Sequence, residues 1–476
     1  MTIDLSALRG DLPKRRWFPA KHRTIANLRL LDSAVVAEGD EDLVLALVSV
    51  AFDDGGEMML HLPLLVSNDG QRDVSEDPDR LRVFGEALAH GQPIKGEHGI
   101  FHMSGPGLDP ENPPGAHSAW VIPGEQSNTS VVLDDSVILK FFRKVEPGPN
   151  PDLELARLLT NEGFRSIPEQ VGEIFYEFQT DEDSGPETPR TPDIDLGIAQ
   201  RFIPGGKEGW DLTIEMLGGL IAEIHEADAP EDMPQLIEER AADLMGAVAQ
   251  LGEATATLHV TLAREDFEDE FRPEVVAPET LRRWVDQAEL RLDQLSQCST
   301  EIAGMRSHIS QRLAAILQIE DAGMVTRIHG DYHLGQVLRV PRTWYILDLE
   351  GEPAKTLEER RAKHSPLKDV AGMLRSLSYA AHAALRESGN QEDRGERMAW
   401  LTTWEELARE RFTSAYLARA HEGRFLPSEH TTIDQLLSFF ELDKALYELE
   451  YELGSRPEWA EIPLNAIAAI VERGNK

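Results

Sequence analysis

Cysteine is almost missing from this chain of 476 residues: Cys298 stands alone, so no internal disulfide can form. A single thiol in so long a chain fits a reducing compartment. Long apolar runs are missing too, and none approaches the roughly 18 to 20 uninterrupted residues that a membrane helix needs. The stretch from Met1 to Gly10 has no basic segment leading into an apolar run, which argues against a signal peptide. A cytoplasmic protein with no membrane partner is the expectation. Positive charge is the third shortage. Lys and Arg number 47 against 85 Asp and Glu, a formal net charge of −38. A polyanion repels the phosphate backbone, and the densest basic group (Lys14, Arg15, Arg16, Lys21 and Arg23) is short, so nucleic acid is not an expected partner. The bland account of the acidity is a solvated, self-repelling surface that aids solubility. With no cysteine pairs among scattered histidines, a dedicated zinc site is not expected either.

What is present describes a soluble globular chain, 41% hydrophobic and 28% charged. At about 150 residues per domain, its length suits two or three structural units. Leu43 to Ala51 and Met58 to Leu65 alternate apolar residues around Asp53-Asp54-Gly55-Gly56, which predicts a β-hairpin. The Gly- and Pro-rich run Ser104 to Gly115 reads as a linker. Ser130 to Leu133 and Val137 to Phe142 flank Asp134-Asp135-Ser136, a second strand, tight turn and strand. Asn150 can cap a helix that has Pro151 at its first position and Glu154 in its first turn. The acidic stretch Thr180 to Asp195 reads as an exposed loop before a strand from Leu196 to Phe202. From Leu212 onward apolar residues recur at helical spacing, as in Leu217, Leu220, Ile221 and Ile224. Only a strand-like centre from Val337 to Leu349 interrupts the helices. The expected organisation is α+β: an N-terminal subdomain over 1–105, a β-rich segment over 106–205 and an α-helical segment over 206–476.

The chemistry concentrates in Arg327-Ile-His-Gly-Asp-Tyr-His-Leu-Gly-Gln336 and Trp344-Tyr-Ile-Leu-Asp-Leu-Glu-Gly-Glu352. Phosphoryl transfer needs a carboxylate to orient or deprotonate the attacking hydroxyl, and oxygen ligands that hold magnesium against nucleotide phosphates. Asp331 suits the first need. Gln336, five residues on, and Asp348, at the end of an apolar strand, suit the second.

His329-Gly-Asp331 with Gln336 resembles the catalytic loop of aminoglycoside phosphotransferases and other small-molecule kinases of the eukaryotic kinase fold. Asp348-Leu-Glu resembles the metal-binding Asp-Phe-Gly of protein kinases, with Leu349 and Glu350 in place of Phe and Gly. The longer match, Asp348-Leu-Glu-Gly-Glu-Pro353 followed by Ser365-Pro-Leu-Lys-Asp-Val-Ala-Gly-Met-Leu-Arg375, resembles the actinobacterial maltokinases. The resemblance runs from Trp17-Phe18, through Glu125 to Ser130 and Val137 to Lys140, to Arg456-Pro-Glu-Trp459. It implies a bilobal protein-kinase-like fold in which 1–105 is a cap, 106–205 the nucleotide-binding N-lobe and 206–476 the C-lobe. It also implies ATP as co-substrate with Mg2+, and maltose 1-phosphate as product.

Position by position, the resemblance gives Lys140 the α and β phosphates and Glu154 as partner. Ser127, Asn128, Thr129 and Ser130 stand where kinases place the phosphate-covering loop, without its glycines. Gln200, Phe202 and Ile203 match the interlobe connection that binds adenine. Asp331 would be the catalytic base, with Gln336, Asp348 and Glu350 around the metal. His329 would orient the loop. Lys444, Tyr447, Glu448 and Tyr451 recur three and four residues apart on one helix and, with Trp459, would meet the sugar. The default reading of those three aromatics is as core residues.

Trehalose synthase is the partner that the resemblance implies, in trehalose-to-glycogen metabolism. Oligomeric state stays open between monomer and homodimer. Two other functions remain: a kinase of the same fold acting on glucosamine, another sugar or an aminoglycoside, and a non-catalytic kinase-fold regulator of a carbohydrate enzyme.

Overall fold

A computed structural model of the protein describes residues 3–123, 127–179, 191–224, 232–387 and 394–473. The acidic stretch expected to form an exposed loop lies outside the described residues over 180–190. The chain forms two compact units, residues 1–205 with 353–360, and residues 206–352 with 361–476.

The first unit holds two sheets. Strands β1 (Ile25–Ala37), β2 (Asp42–Phe52), β3 (Glu57–Ser67) and β4 (Gly70–Asp73) build most of the first. Strand β2 lies between β1 and β3 and is apolar along nearly its whole length, because both its faces are buried. Val44, Ala46, Val48 and Val50 enter a core with Trp17 and Phe18. Leu43, Leu45 and Leu47 enter a second core with Phe84, Phe101 and Phe141.

The second sheet comprises β5 (Ile94–Lys95), β6 (Gly99–Ser104), β7 (Ala119–Val121), β8 (Asn128–Leu133), β9 (Val137–Phe142), β11 (Gln170–Phe178) and β12 (Ile194–Arg201). Its strand order is β5-β6-β11-β12-β9-β8-β7. The short β10 (Lys144–Val145) follows β9 directly yet pairs with β3, so the two sheets share one continuous piece of chain. One detail differs from the sequence reading. Residues 94–104, expected within the first subdomain, pair into the second sheet, because Phe101 and Met103 alternate into the core it shares with the first. The turn Asp134-Asp135 has φ of 51° and 49°, the left-handed pair of a tight hairpin, which Asp tolerates better than most residues. Helix Pro151–Asn161 begins as expected, with the Asn150 side chain accepting from the Asp152 amide.

The second unit is helical around helix Leu367–Glu387, which is buried almost all round. Helices Ala242–Leu262, Arg394–Ala420 and His430–Ser455 belong to the same unit. A three-stranded sheet, in which Lys207–Glu208 pairs with Val337–Val340 and that strand with Thr343–Ile346, carries the catalytic motif to its place.

Candidate active site

In the first unit, Lys140 sits on β9 directly opposite Ser130 of β8. It is 7% exposed, and its ammonium lies 3.0 Å from Asp152 Oδ2 in the first turn of helix Pro151–Asn161. The sequence reading named Glu154, from the same turn, as the partner of Lys140, and Asp152 stands beside it. Asp152 was missed, although its place at the helix start, where the dipole favours a carboxylate, was readable. Glu154 is also buried in that turn.

Alternation along β8 divides the expected phosphate-covering residues. Asn128 and Ser130 share the face of Lys140. Thr129 points to the opposite face, where its hydroxyl accepts from Arg143 Nε at 2.9 Å. Its side chain therefore points away from the face that carries Lys140. Ser127 bonds Asn128, whose Nδ2 donates to its hydroxyl at 3.2 Å. Along the interlobe connection, the Phe202 amide donates to the Ser136 carbonyl at 2.9 Å and Gln200 Nε2 donates to the Pro168 carbonyl at 3.4 Å. The Phe202 ring meets Trp120 edge-on at 6.0 Å, and Ile203 is half-buried. The Phe202 amide is thus spent within the protein.

In the second unit, the loop His329-Gly-Asp331 hangs on Asp369, which is 2% exposed. Its Oδ1 accepts the Gly330 amide at 2.9 Å, and its Oδ2 accepts the His329 amide at 2.8 Å and His259 Nε2 at 3.2 Å. Burial opposes the Asp369 charge, yet His259, His329 and the Gly330 amide hold its carboxyl below the usual carboxylate range. His259 Nδ1 then accepts from the Tyr416 hydroxyl at 2.9 Å. Gly330 has φ +85°, a conformation suited to glycine. A Cβ at Gly372 would meet the Tyr332 carbonyl at 2.6 Å, so the central helix packs on the loop only because that position is bare. Asp369 and Gly372 belong to a recognisable motif, but nothing in their spacing disclosed these tasks.

His329 Nε2 donates to the Leu347 carbonyl at 2.8 Å, which leaves Nδ1 to face the Asp331 amide at 3.4 Å. One imidazole thereby ties the loop carrying Asp331 to the residue before Asp348. Gln336 makes a second tie: its amide donates to the His333 carbonyl and its carbonyl accepts the Leu347 amide, both at 2.9 Å. Asp348 is exposed and left-handed, with φ +54°. Glu350 is half-buried just beyond it. Glu208, which the sequence reading missed, is pushed above the usual carboxyl range by partial burial and then by the charges of Asp211 and Asp348. Among the described residues no group of three or more His, Cys, Asp or Glu could hold a metal. The oxygen donors of Asp348 and Gln336, with mutually repelling acids nearby, still fit Mg2+, which takes few protein ligands and relies on nucleotide phosphates for others.

Helix His430–Ser455 divides the expected sugar residues into two groups. Lys444 brings its ammonium 3.7 Å from Asp331 Oδ1 and 4.9 Å from the Tyr447 ring centre. Burial first, and then a hydrogen bond with Glu352, push the Tyr447 hydroxyl above its usual range. Glu448 turns instead to buried Arg375, 2.8 Å away, which commits its carboxylate to an internal ion pair. Trp459 lies near-parallel to Tyr379 at 6.2 Å, with Arg386 and Arg456 over its ring at 4.7 and 5.1 Å. Tyr451 is 53% exposed, with Arg456 5.6 Å from its ring. Of the five, only Lys444 and Tyr447 gather around Asp331 and Glu352.

Residues 12–87 match the maltokinase N-terminal cap domain. The start of the chain is thus similar to that cap. The chain is 26% identical over 361 residues to a glucosamine kinase of Mycolicibacterium smegmatis, covering 74% of this chain and 79% of that protein. It is 24% identical over 397 residues to a glucosamine kinase of Streptacidiphilus jiangxiensis, covering 81% and 76%. A solved structure of glucosamine kinase with glucosamine, ADP and inorganic phosphate matches with a TM-score of 0.66 at 20% identity, over 99% of this chain and 100% of that one. The capped chain therefore has the kinase-like fold, β-rich in its first part and helical in its second. No helix among the described residues is long and apolar enough to cross a membrane.

Proposed function

We propose that the protein is a cytoplasmic ATP-dependent sugar kinase that phosphorylates the anomeric hydroxyl of maltose. The observation that carries the reading is Asp331, part-exposed on a loop whose neighbouring amides are fixed by buried Asp369 and whose carboxylate faces Lys444. Asp331 accepts the hydroxyl proton as the sugar oxygen attacks the γ-phosphorus and the bond from that phosphorus to the β–γ bridging oxygen breaks, releasing ADP, while Lys444 and Tyr447 orient the acceptor. Lys140, steadied by Asp152, binds the α and β phosphates of ATP. Asn128 and Ser130 line the same strand face, and the connection from Gln200 to Ile203 receives adenine. Asp348 and Gln336, with Glu350 nearby, would hold Mg2+, which neutralises phosphate charge when bound. In so loose a transition state, positioning and electrostatics supply most of the acceleration.

Two observations support a neutral acceptor: the maltokinase cap and the ammonium of Lys444 at the base. Glucosamine is the second reading, favoured by the relatives and by the carboxylate of Glu352 beside Tyr447. Turnover of maltose, glucose and glucosamine under identical conditions separates them. Maltose is expected to have the highest kcat/KM, and preference for glucosamine would sink the maltose assignment. If maltose is the acceptor, trehalose synthase is the proposed supplier, in a route through maltose 1-phosphate to α-glucan. Absence of ATP turnover over a broad sugar panel would revive the regulatory reading.

A further inference from the structure

A fully buried arginine stands where the cap meets the nucleotide-binding sheet. Arg143 directly follows β9, three residues beyond Lys140. Its guanidinium donates through Nη2 to Asp73 Oδ1 at 2.9 Å and through Nε to Thr129 Oγ1 at 2.9 Å, and lies 4.7 Å from the centre of the Trp17 ring. Asp73 ends β4 of the first sheet, and Trp17 lies in the core of that same sheet. Thr129 belongs to β8, between Asn128 and Ser130. The backbone repeats the connection. The His61 amide of β3 donates to the Arg143 carbonyl at 2.9 Å, the His61 ring bonds the Phe142 carbonyl at 3.2 Å, and β10 then pairs with β3 at Leu60 and Met59.

We infer that Asp73, Arg143 and Thr129 are positioning residues through which the cap sets the register of the β8–β9 hairpin, and with it the reach of Lys140 toward nucleotide phosphate. The inference rests on the reading of Lys140 as the phosphate-binding lysine. Its physical basis is rigidity at both hairpin strands. Thr129 holds β8 from behind the face that carries Asn128 and Ser130, while Arg143 and its backbone hold the end of β9. A buried guanidinium with a carboxylate and a hydroxyl in fixed directions tolerates little sliding of one strand past the other, because any slip leaves a charge unpaired away from water. The cap thus does more than cover the sheet.

Three variants test this in the full-length enzyme: Thr129→Val, which keeps shape and removes one bond; Asp73→Asn; and the double variant Asp73→Leu with Arg143→Met, which leaves no buried charge uncompensated. The measurements are the KM for ATP, fluorescent-nucleotide affinity, the KM for the sugar and the melting temperature. Loss of a hydrogen bond to a charged group predicts a rise in the KM for ATP of roughly tenfold for the double variant and a smaller rise for Thr129→Val, with the sugar KM held within about twofold. A purely structural role would lower the melting temperature and leave nucleotide affinity unchanged in the folded fraction. That result would overturn the inference, and Thr129→Val, the mildest change, keeps it accessible if the others fail to fold. Lys140→Met serves as control. If it binds nucleotide as well as the unaltered enzyme, the lysine assignment falls and the inference with it. If it binds weakly while the linkage variants bind normally, only the linkage falls.

Discussion

In the proposed kinase reaction Asp331 and Asp348 would act under unequal constraints. Asp331 needs a carboxylate, held by a loop whose glycine and two amides are already committed. Changing it to Asn preserves shape and removes basicity, so turnover should fall by about 10²- to 10⁴-fold, the usual worth of a positioned general base. Equilibrium nucleotide binding, followed by fluorescence, should survive, and near-normal turnover would remove Asp331 from its role. The acid, the amide five residues later and the second acid stand out in the sequence because the proposed phosphoryl transfer calls for those residue types at short spacing. The partners that hold them were not. Asp369 lies 38 residues beyond Asp331, and only the fold brings its carboxylate to the loop. Glu448 shows the converse. Helical spacing put it on one face with Lys444, but spacing cannot reveal that Arg375 waits, buried, on the neighbouring helix.

Strands and helices show the same division. The β2–β3 and β8–β9 hairpins could be read from alternation and turn residues, and the helix at Pro151 from its cap. Assignment of residues 94–104 to a sheet could not, since an alternating strand fits the edge of either sheet until its partner is known. The return of β10 to the cap likewise rests on pairing over only two residues. That junction has a titration consequence. His61 is wholly buried on β3, facing Arg143 and Asp73, and burial, reinforced by the Arg143 charge, depresses its pKa from 6.5 to about 3. Between those two values the unfolded chain takes up a proton that the folded one refuses. Stability should therefore fall as pH drops from 6.5 toward 3, and be unaffected by this residue above 6.5. Urea unfolding at pH 7 and pH 5 should show a smaller loss for His61→Gln than for the unaltered protein. An equal loss would mean that other groups dominate.

At the scale of the whole molecule, the proposed function asks a net charge of −38 to accommodate polyanionic ATP. Local positive potential from Lys140, backbone amides and bound Mg2+ has to work against the general field. Nucleotide affinity without Mg2+ should be poor and should improve as moderate salt screens the surface, which calorimetric titration at several ionic strengths would reveal. Tight Mg2+-free binding that weakens with added salt would contradict this account. The division of the chain has its own consequence. Residues 353–360 belong to the first unit although 147 residues of the second precede them, and Leu357 comes within 3.3 Å of where a Cβ on Gly148 would stand. A fragment ending at residue 205 is therefore an incomplete domain. During synthesis on the ribosome the first unit must wait for its last eight residues until residues 206–352 of the second have emerged.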